Sequence, residues 1–458
     1  MDKWKKLLQG VTFRNRSETI SIDGRDPFEN DYGRLISSSP IRRLQDKTQV
    51  FPLESSDYIR TRLTHSLEVS YIGSSIGKSI EKYVIDEKKD LPEIYRGQIS
   101  SLLRGSGLVH DLGNPPFGHF GESAIQDYFK DYFDNNNNNN NNVDLSEIEK
   151  ADFINFDGNV QTFRILRRLH FFKDEHSFNL TFPTLASIIK YPSNSIEGNK
   201  KKKAKEIRTK KFGYFVSEQE DYEIINEKLG LNNRRHPIVY LMEAADDIAY
   251  CAADIEDGVK LGILNYETVR KVFEKNLKAN KDLLEVLDTY HKDNDNKLSD
   301  RLSLTVQQFR VKTQGKMIEG VVDCFRKNYN KIMDGTFEYE LIEKSRGSDI
   351  RDSFEELQRV VFDNKKIMQT ELAGWEIIYG LLDIFIPATK SEKFKSGGNT
   401  KEARLYKNIS SSYRYIYENY NNYDNDDYNK IQLVVDFISG MTDTYALNLF
   451  RKLKGIRL

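Results

Sequence analysis

Two cysteines, Cys251 and Cys324, are all the thiols that 458 residues offer. So few make no disulfide framework and fit a reducing compartment. No charge of either sign dominates. Lys and Arg number 69 against 70 Asp and Glu, a net charge of −1. That balance argues against a dedicated nucleic-acid coat, which would show a basic excess, and leaves only a local basic patch open. No apolar run approaches the roughly 20 residues a bilayer span needs. The opening Met1-Asp2-Lys3-Trp4-Lys5-Lys6 has no apolar segment behind its charges, so the expectation is a cytoplasmic protein with no membrane partner. There is no internal repeat. Alternating strand patterns are confined to short candidates near 11–23, 212–217 and 338–342. What remains is helical periodicity and a 38% hydrophobic composition, enough for a sizeable core. The class is mainly α, with a few short peripheral strands.

The chemistry concentrates in His110-Asp111-Leu112-Gly113-Asn114-Pro115-Pro116-Phe117-Gly118-His119-Phe120-Gly121-Glu122. The apolar, small-residue segment 99–109 before it reads as a buried helix. Asn114-Pro115-Pro116 stops that helix, because proline lacks an amide proton and restricts the residue before it. A second helix is expected from His119 to Phe133, which puts His119 and Glu122 one turn apart at its start. A neighbouring imidazole and carboxylate can share one divalent metal. Two ligands are too few, so others must come from elsewhere. His65 and Asp246 are the candidates, each inside a helix-period apolar pattern, expected over 61–84 and 237–256. A lone His at 65 is more often a satisfied structural residue; the company of His110, Asp111 and Asp246 reverses that judgement. Asp246, Tyr250 and Asp254 recur at i, i+4 and i+8 on one face. An acidic stripe on a mostly apolar helix is costly unless paired or metal-bound.

Around this frame the chain reads as follows. Residues 1–24 are loosely held until docked. Small residues Ser70, Gly73, Ser74, Ser75 and Gly77 permit close helix contact. Arg60 and Arg62 flank the turn before His65, where a guanidinium can grip a phosphate. Asn135 to Asn142 form an asparagine tract, expected to be a surface loop over about 134–143. A helix follows at 160–170, and Pro192 holds Lys190 at a helix end. The basic run within 198–211 reads as a solvated loop. Further helices are expected over 266–290, 302–334 and 350–386, with a last one beginning at Val434. Residues 388–401 read as a loop, and the Tyr/Asn/Asp-rich stretch 413–428 has no reading.

The order His65, His110-Asp111, Asp246 is the signature of the HD phosphohydrolase fold. With Arg25-Asp26-Pro27-Phe28, Arg42 to Val50, the 110–122 string, Phe156-Asp157-Gly158-Asn159, Lys190-Tyr191-Pro192, Ala245 to Tyr250 and Ser439 to Asp443, the chain resembles the bacterial deoxyguanosine triphosphate triphosphohydrolases. The resemblance implies hydrolysis of a dNTP, dGTP by expectation, to deoxynucleoside and tripolyphosphate, with a divalent metal ion such as Mn or Mg as cofactor. It implies His65, His110, Asp111 and Asp246 as metal ligands and His119 and Glu122 as the catalytic pair. Arg62, Lys190 and Tyr191 would hold the triphosphate. Gln49 and Asp254 would lie near the 3′-hydroxyl, with Tyr250 against C2′. Vertebrate relatives carry a second His where this chain has Asn114, so the bacterial branch fits better. Three regions are implied: 1–60 contributing to the site and to assembly, an HD core over 61–265, and a helical region over 266–458 packed on it. A homo-oligomer is expected, and a nucleotide or single-stranded DNA effector is open. Two rivals stand beside this reading: an HD phosphodiesterase or nucleotidase on another nucleotide, and a regulatory protein that binds nucleotide or single-stranded DNA.

Overall fold

Small residues decide how closely the two central helices approach. Helix Arg62–Glu81 carries His65, and helix Gln98–Val109 leads into His110. Their contact is the most extensive between any two helices described. A Cβ on Gly77 would sit 2.7 Å from Ser100 Cα, and one on Gly107 would sit 2.8 Å from Ser70 Cα. Any larger residue would force the backbones apart. The third member, Pro237–Lys260, carries Asp246. It begins with proline at the first helical position, where no amide proton is needed, and packs on both of the others. His65 and Asp246 thereby come from within two packed helices, and His110 from the residue that caps the third.

The computed structural model describes residues 2–14, 23–53, 58–138, 144–198, 206–294, 300–421 and 423–456. These residues are mainly helical. No strand forms among them; two isolated bridges occur, Thr12 with Thr181, which is all that the 11–23 candidate shows, and Thr48 with Thr61, outside every candidate. Much of the 11–23 candidate lies outside the described residues. In the 212–217 candidate, Phe212 and Phe215 are buried as core residues instead. Within the described part of 1–24 the N-terminus is docked: helix Asp2–Leu7 buries Trp4, whose indole donates to the Tyr329 hydroxyl at 2.8 Å.

Several expected helices are broken, one of them by a tertiary contact. The run 266–290 is two helices, Tyr266–Asn276 and Asp282–Asp293. Between them the amides of Lys278, Ala279 and Asn280 all donate to Asp349 Oδ2 at 2.8, 2.7 and 3.2 Å. That carboxylate takes donors a continuous helix would have used. The run 302–334 divides at Asn328, and 350–386 divides into Ser348–Phe362 and Lys365–Thr389 at the cap Asn364. Val434 lies inside helix Asp426–Ser439, and the last helix is Asp443–Leu453. Lys190 lies four residues beyond the end of helix Phe182–Ala186, not at a helix end. Helix Gly118–Asn138 continues through the first four asparagines of the tract; 139–142 lie outside the described residues, as do Lys200 to Lys203 and Lys205.

Helix Lys365–Thr389 is, by length and composition, apolar enough to cross a bilayer, which the reading of apolar runs did not anticipate. Half of its most apolar stretch is buried within the protein. It packs on Gly118–Asn138, Asp426–Ser439 and Asp443–Leu453. The tyrosine-rich stretch is packing material: Tyr428 is fully buried and its hydroxyl donates to Asp152 at 2.8 Å.

The close contact makes a paired prediction. Gly77→Ala should cost about 1–3 kcal/mol, because its methyl meets backbone that must shift. Gly105→Ala, where a Cβ meets nothing within 4 Å, should be neutral or stabilising by up to about 1 kcal/mol, as expected for removing a helical glycine. Urea unfolding of both variants checks the difference.

Candidate metal centre and anion site

His110 follows the end of its helix, and its Nδ1 lies 2.8 Å from the Gly107 carbonyl. A carbonyl only accepts, so Nδ1 carries the proton and Nε2 presents a lone pair inward. That Nε2 is buried, lies 3.3 Å from Asp246 Oδ1 and has no aligned hydrogen-bond partner. His65 Nε2 lies 3.1 Å from the same oxygen. The two imidazoles meet edge to face with centroids 5.2 Å apart. One ligand atom from each of His65, His110 and Asp246 lies within 4.8 Å of the others. Two imidazoles and a carboxylate suit a transition-type divalent ion, and the bare, buried Nε2 of His110 is an orphan that such an ion would satisfy.

Asp111 borders this group but is held by other partners. Its Oδ1, 3.5 Å from His110 Nε2, accepts from Asn114 Nδ2 at 2.6 Å. Its Oδ2 accepts from Arg62 Nη1 at 2.6 Å. Burial opposes ionisation of both acids. It is outweighed by His110 and Arg62 at Asp111, and by His110, His65 and Lys190 at Asp246, so both stay well below the usual carboxylate range. Burial would likewise lower the His110 pKa, yet Asp111 and Asp246 outweigh it and raise it.

Cations rim the group. Lys190 Nζ lies 3.6 Å from Asp246 Oδ2, and burial, which would lower its pKa, is outweighed by Asp246 and Glu243. The loop is fixed by the Lys190 carbonyl, which accepts from Arg235 Nε at 2.7 Å. Tyr191 is buried, with the Arg235 guanidinium 5.7 Å from its ring centroid. Arg62 is buried over the start of helix Gly118–Asn138; a Cβ on Gly118, at φ +60°, would meet its Nη2 at 2.9 Å. Arg60 is committed elsewhere, to Glu68, Glu256 and Asp257 at 3.2, 2.8 and 2.6 Å.

His119 and Glu122 form their own pair, Nδ1 to Oε2 at 3.1 Å. The His119 side chain is 83% exposed while Glu122 is buried, its Oε1 accepting from the Gly158 amide at 2.6 Å. Among the described residues, no hydrogen bond or ion pair joins this pair to the ligand group. Tyr250 stands edge-on to His65, centroids 6.5 Å apart. Gln49 is half-buried, and its Oε1 has no partner. Asp254 is sealed: it accepts from Gln358 Nε2 at 3.0 Å, and burial, reinforced by Asp257, raises its pKa well above normal.

Reasoning from sequence missed four neighbours. Lys47 and Asn114 lie inside quoted motifs but carried no assigned role. Lys211 was counted with the solvated run, yet it is largely buried and paired with Asp157 at 2.5 Å. Gln358 came from a helix with no site signal.

Residues 62–210 match the HD domain, and 402–452 match a phosphohydrolase-associated domain. A deoxyguanosinetriphosphate triphosphohydrolase-like protein of Listeria innocua is 39% identical, covering 99% of this chain and all of that protein. The protein of that name from Listeria monocytogenes shows the same figures. One from Synechocystis is 33% identical with both chains covered in full.

The raised His110 pKa sets a sign. In metal-stripped protein its charged form stabilises the fold below the free imidazole value near 6.5, and that contribution is lost as pH rises through the higher folded value. Binding of Mn²⁺ must displace the same proton. Mn²⁺ affinity should therefore rise with pH from about 6 to 8, with proton release seen as a buffer-dependent calorimetric enthalpy. A pH-independent affinity would contradict the arrangement.

Proposed function

This chain belongs to the deoxyguanosinetriphosphate triphosphohydrolase-like family of HD-domain proteins, and from that premise we propose that it hydrolyses a 2′-deoxynucleoside triphosphate, dGTP foremost, to the deoxynucleoside and tripolyphosphate. The observation that carries the reading is the convergence of His65, His110 and Asp246 within 4.8 Å, rimmed by Arg62 and Lys190. It joins a divalent-ion donor set to cations suited to a polyphosphate.

In this reading His65, His110 and Asp246, with Asp111 as the fourth, would hold the divalent ion. A Mn or Mg ion bound there would polarise the α-phosphorus and acidify water. Arg62, Lys190 and Tyr191 hold the triphosphate, where guanidinium and ammonium groups match its charge. Gln49, whose Oε1 is without a partner, faces the 3′-hydroxyl, and Tyr250 closes against C2′, where a ribose hydroxyl would clash; Asp254, sealed against Gln358, does not reach the sugar itself. Water adds to the α-phosphorus as its bond to the 5′-oxygen breaks. The leaving oxygen needs a proton, and His119 supplies it. Glu122, anchored by the Gly158 amide, orients that imidazole. The high exposure of His119 leaves it open to an arriving substrate.

Chromatography of all four dNTPs with Mn²⁺ or Mg²⁺, alone and in pairs, should show tripolyphosphate and deoxynucleoside. Pyrophosphate or orthophosphate as the first product would refute the reading. Equal rates on GTP and dGTP would remove Tyr250 from sugar selection.

His119→Ala should lose roughly two to four decades of turnover, the size of an acid–base contribution, with Mn²⁺ affinity kept. Undiminished turnover would exclude His119 from proton transfer.

A further inference from the structure

Lys47 is 2% exposed, and its amine donates to two backbone carbonyls, Asn114 at 2.5 Å and Ser439 at 2.9 Å. Its own carbonyl accepts from the Arg62 amide at 3.0 Å. One residue thus touches the start of the His65 helix, the turn after His110-Asp111, and the end of helix Asp426–Ser439. The next residue repeats the pattern. Thr48 donates through its amide at 3.0 Å, and through its hydroxyl, to Asp443 Oδ2. The other Asp443 oxygen accepts from the Phe117 amide at 3.0 Å. Segment 47–48 and turn 114–117 are therefore pinned to each other and to the C-terminal helices.

What this junction holds is the ligand group's border. Asn114, whose carbonyl Lys47 grips, uses its side-chain amide to bind Asp111 Oδ1, the oxygen 3.5 Å from His110 Nε2. Arg62, whose amide Lys47 also grips, binds the other Asp111 oxygen. Both partners of the Asp111 carboxylate are located by the same lysine. Burying an amine is costly unless its N–H groups are met, and here they are met by the Asn114 carbonyl of the turn beside Asp111 and the Ser439 carbonyl at the end of a C-terminal helix.

We propose that Lys47 is a positioning residue of the reaction centre. It fixes the Asn114 turn and the first turn of the His65 helix against the C-terminal region, and through Asn114 and Arg62 it sets the Asp111 carboxylate beside His110. The kinetic arm of its test rests on the dNTP hydrolase reading; the metal-binding arm does not.

The test uses metal-stripped full-length protein titrated with Mn²⁺, free ion being read by electron paramagnetic resonance. Lys47→Met keeps the stem and removes the donors. Its Mn²⁺ dissociation constant should weaken about tenfold or more, the size seen when a residue supporting a metal ligand is lost. Amide exchange over residues 112–118 should quicken, and kcat for dNTP should fall. Leu283→Ala, a core lesion in helix Asp282–Asp293, which carries none of the ligand residues, should lower thermal stability and keep wild-type Mn²⁺ affinity. Wild-type affinity and exchange in Lys47→Met would overturn the proposal, as would an equal loss of affinity in Leu283→Ala. If Lys47→Met does not fold, Asn114→Ala decides, since it cuts the last link to Asp111: a similar weakening supports the proposal and wild-type affinity overturns it. Failure of the wild-type protein to turn over any dNTP would count against the proposed activity, and the Mn²⁺ comparison would still decide the role of Lys47.

Discussion

One carboxylate oxygen, Asp246 Oδ1, faces two imidazoles inside a mostly buried helical core. Everything around it answers a single electrostatic constraint. Acids and imidazoles taken out of water must be matched to one another or to a cation, because the interior cannot solvate them. The small residues between the His65 and His110 helices exist to bring those groups within reach, and His110, with the cations Arg62 and Lys190, keeps the acids ionised. The result is a cluster whose charges are balanced and whose central lone pair, on His110 Nε2, remains uncommitted.

The C-terminal helices are part of that arrangement rather than an appendage. Asp443 and the Ser439 carbonyl reach the segments on either side of the ligand group. Phe117 enters at φ +62°, an unfavourable conformation for a bulky side chain, and its ring occupies the space left by Gly374. A Cβ on Gly374 would sit 2.5 Å from that ring. The turn between His110-Asp111 and His119 is thus shaped by contacts made some 260 to 330 residues away.

How much of this was legible in the sequence follows the range of the interactions. The helix that carries His65, the proline stop after Asp111 and the one-turn spacing of His119 and Glu122 are local, and the spacing alone pointed to them. The stripe of Ser70, Gly73 and Gly77 pointed to a close helix contact, because small side chains have that use. The break at 277–281 did not show. Leu277-Lys278-Ala279-Asn280 holds no proline or glycine, and the helix ends only because Asp349, about 70 residues on, takes its amides. Lys47 and Lys211 did not show either, since a lysine reads as solvated until its burial is known. The tyrosine-rich stretch resisted reading for the opposite reason. Its rings serve packing with no fixed period.

His65 and Asp246 stand 181 positions apart. An ion seated between them would act as a reversible staple across that span. At a free concentration one hundred times its dissociation constant, such a ligand adds about 2.7 kcal/mol to the native state. A cell short of the ion would therefore hold a softer molecule, opened more often and cut sooner by proteases. The supply of the cation would set the lifetime of the polypeptide as well as its chemistry.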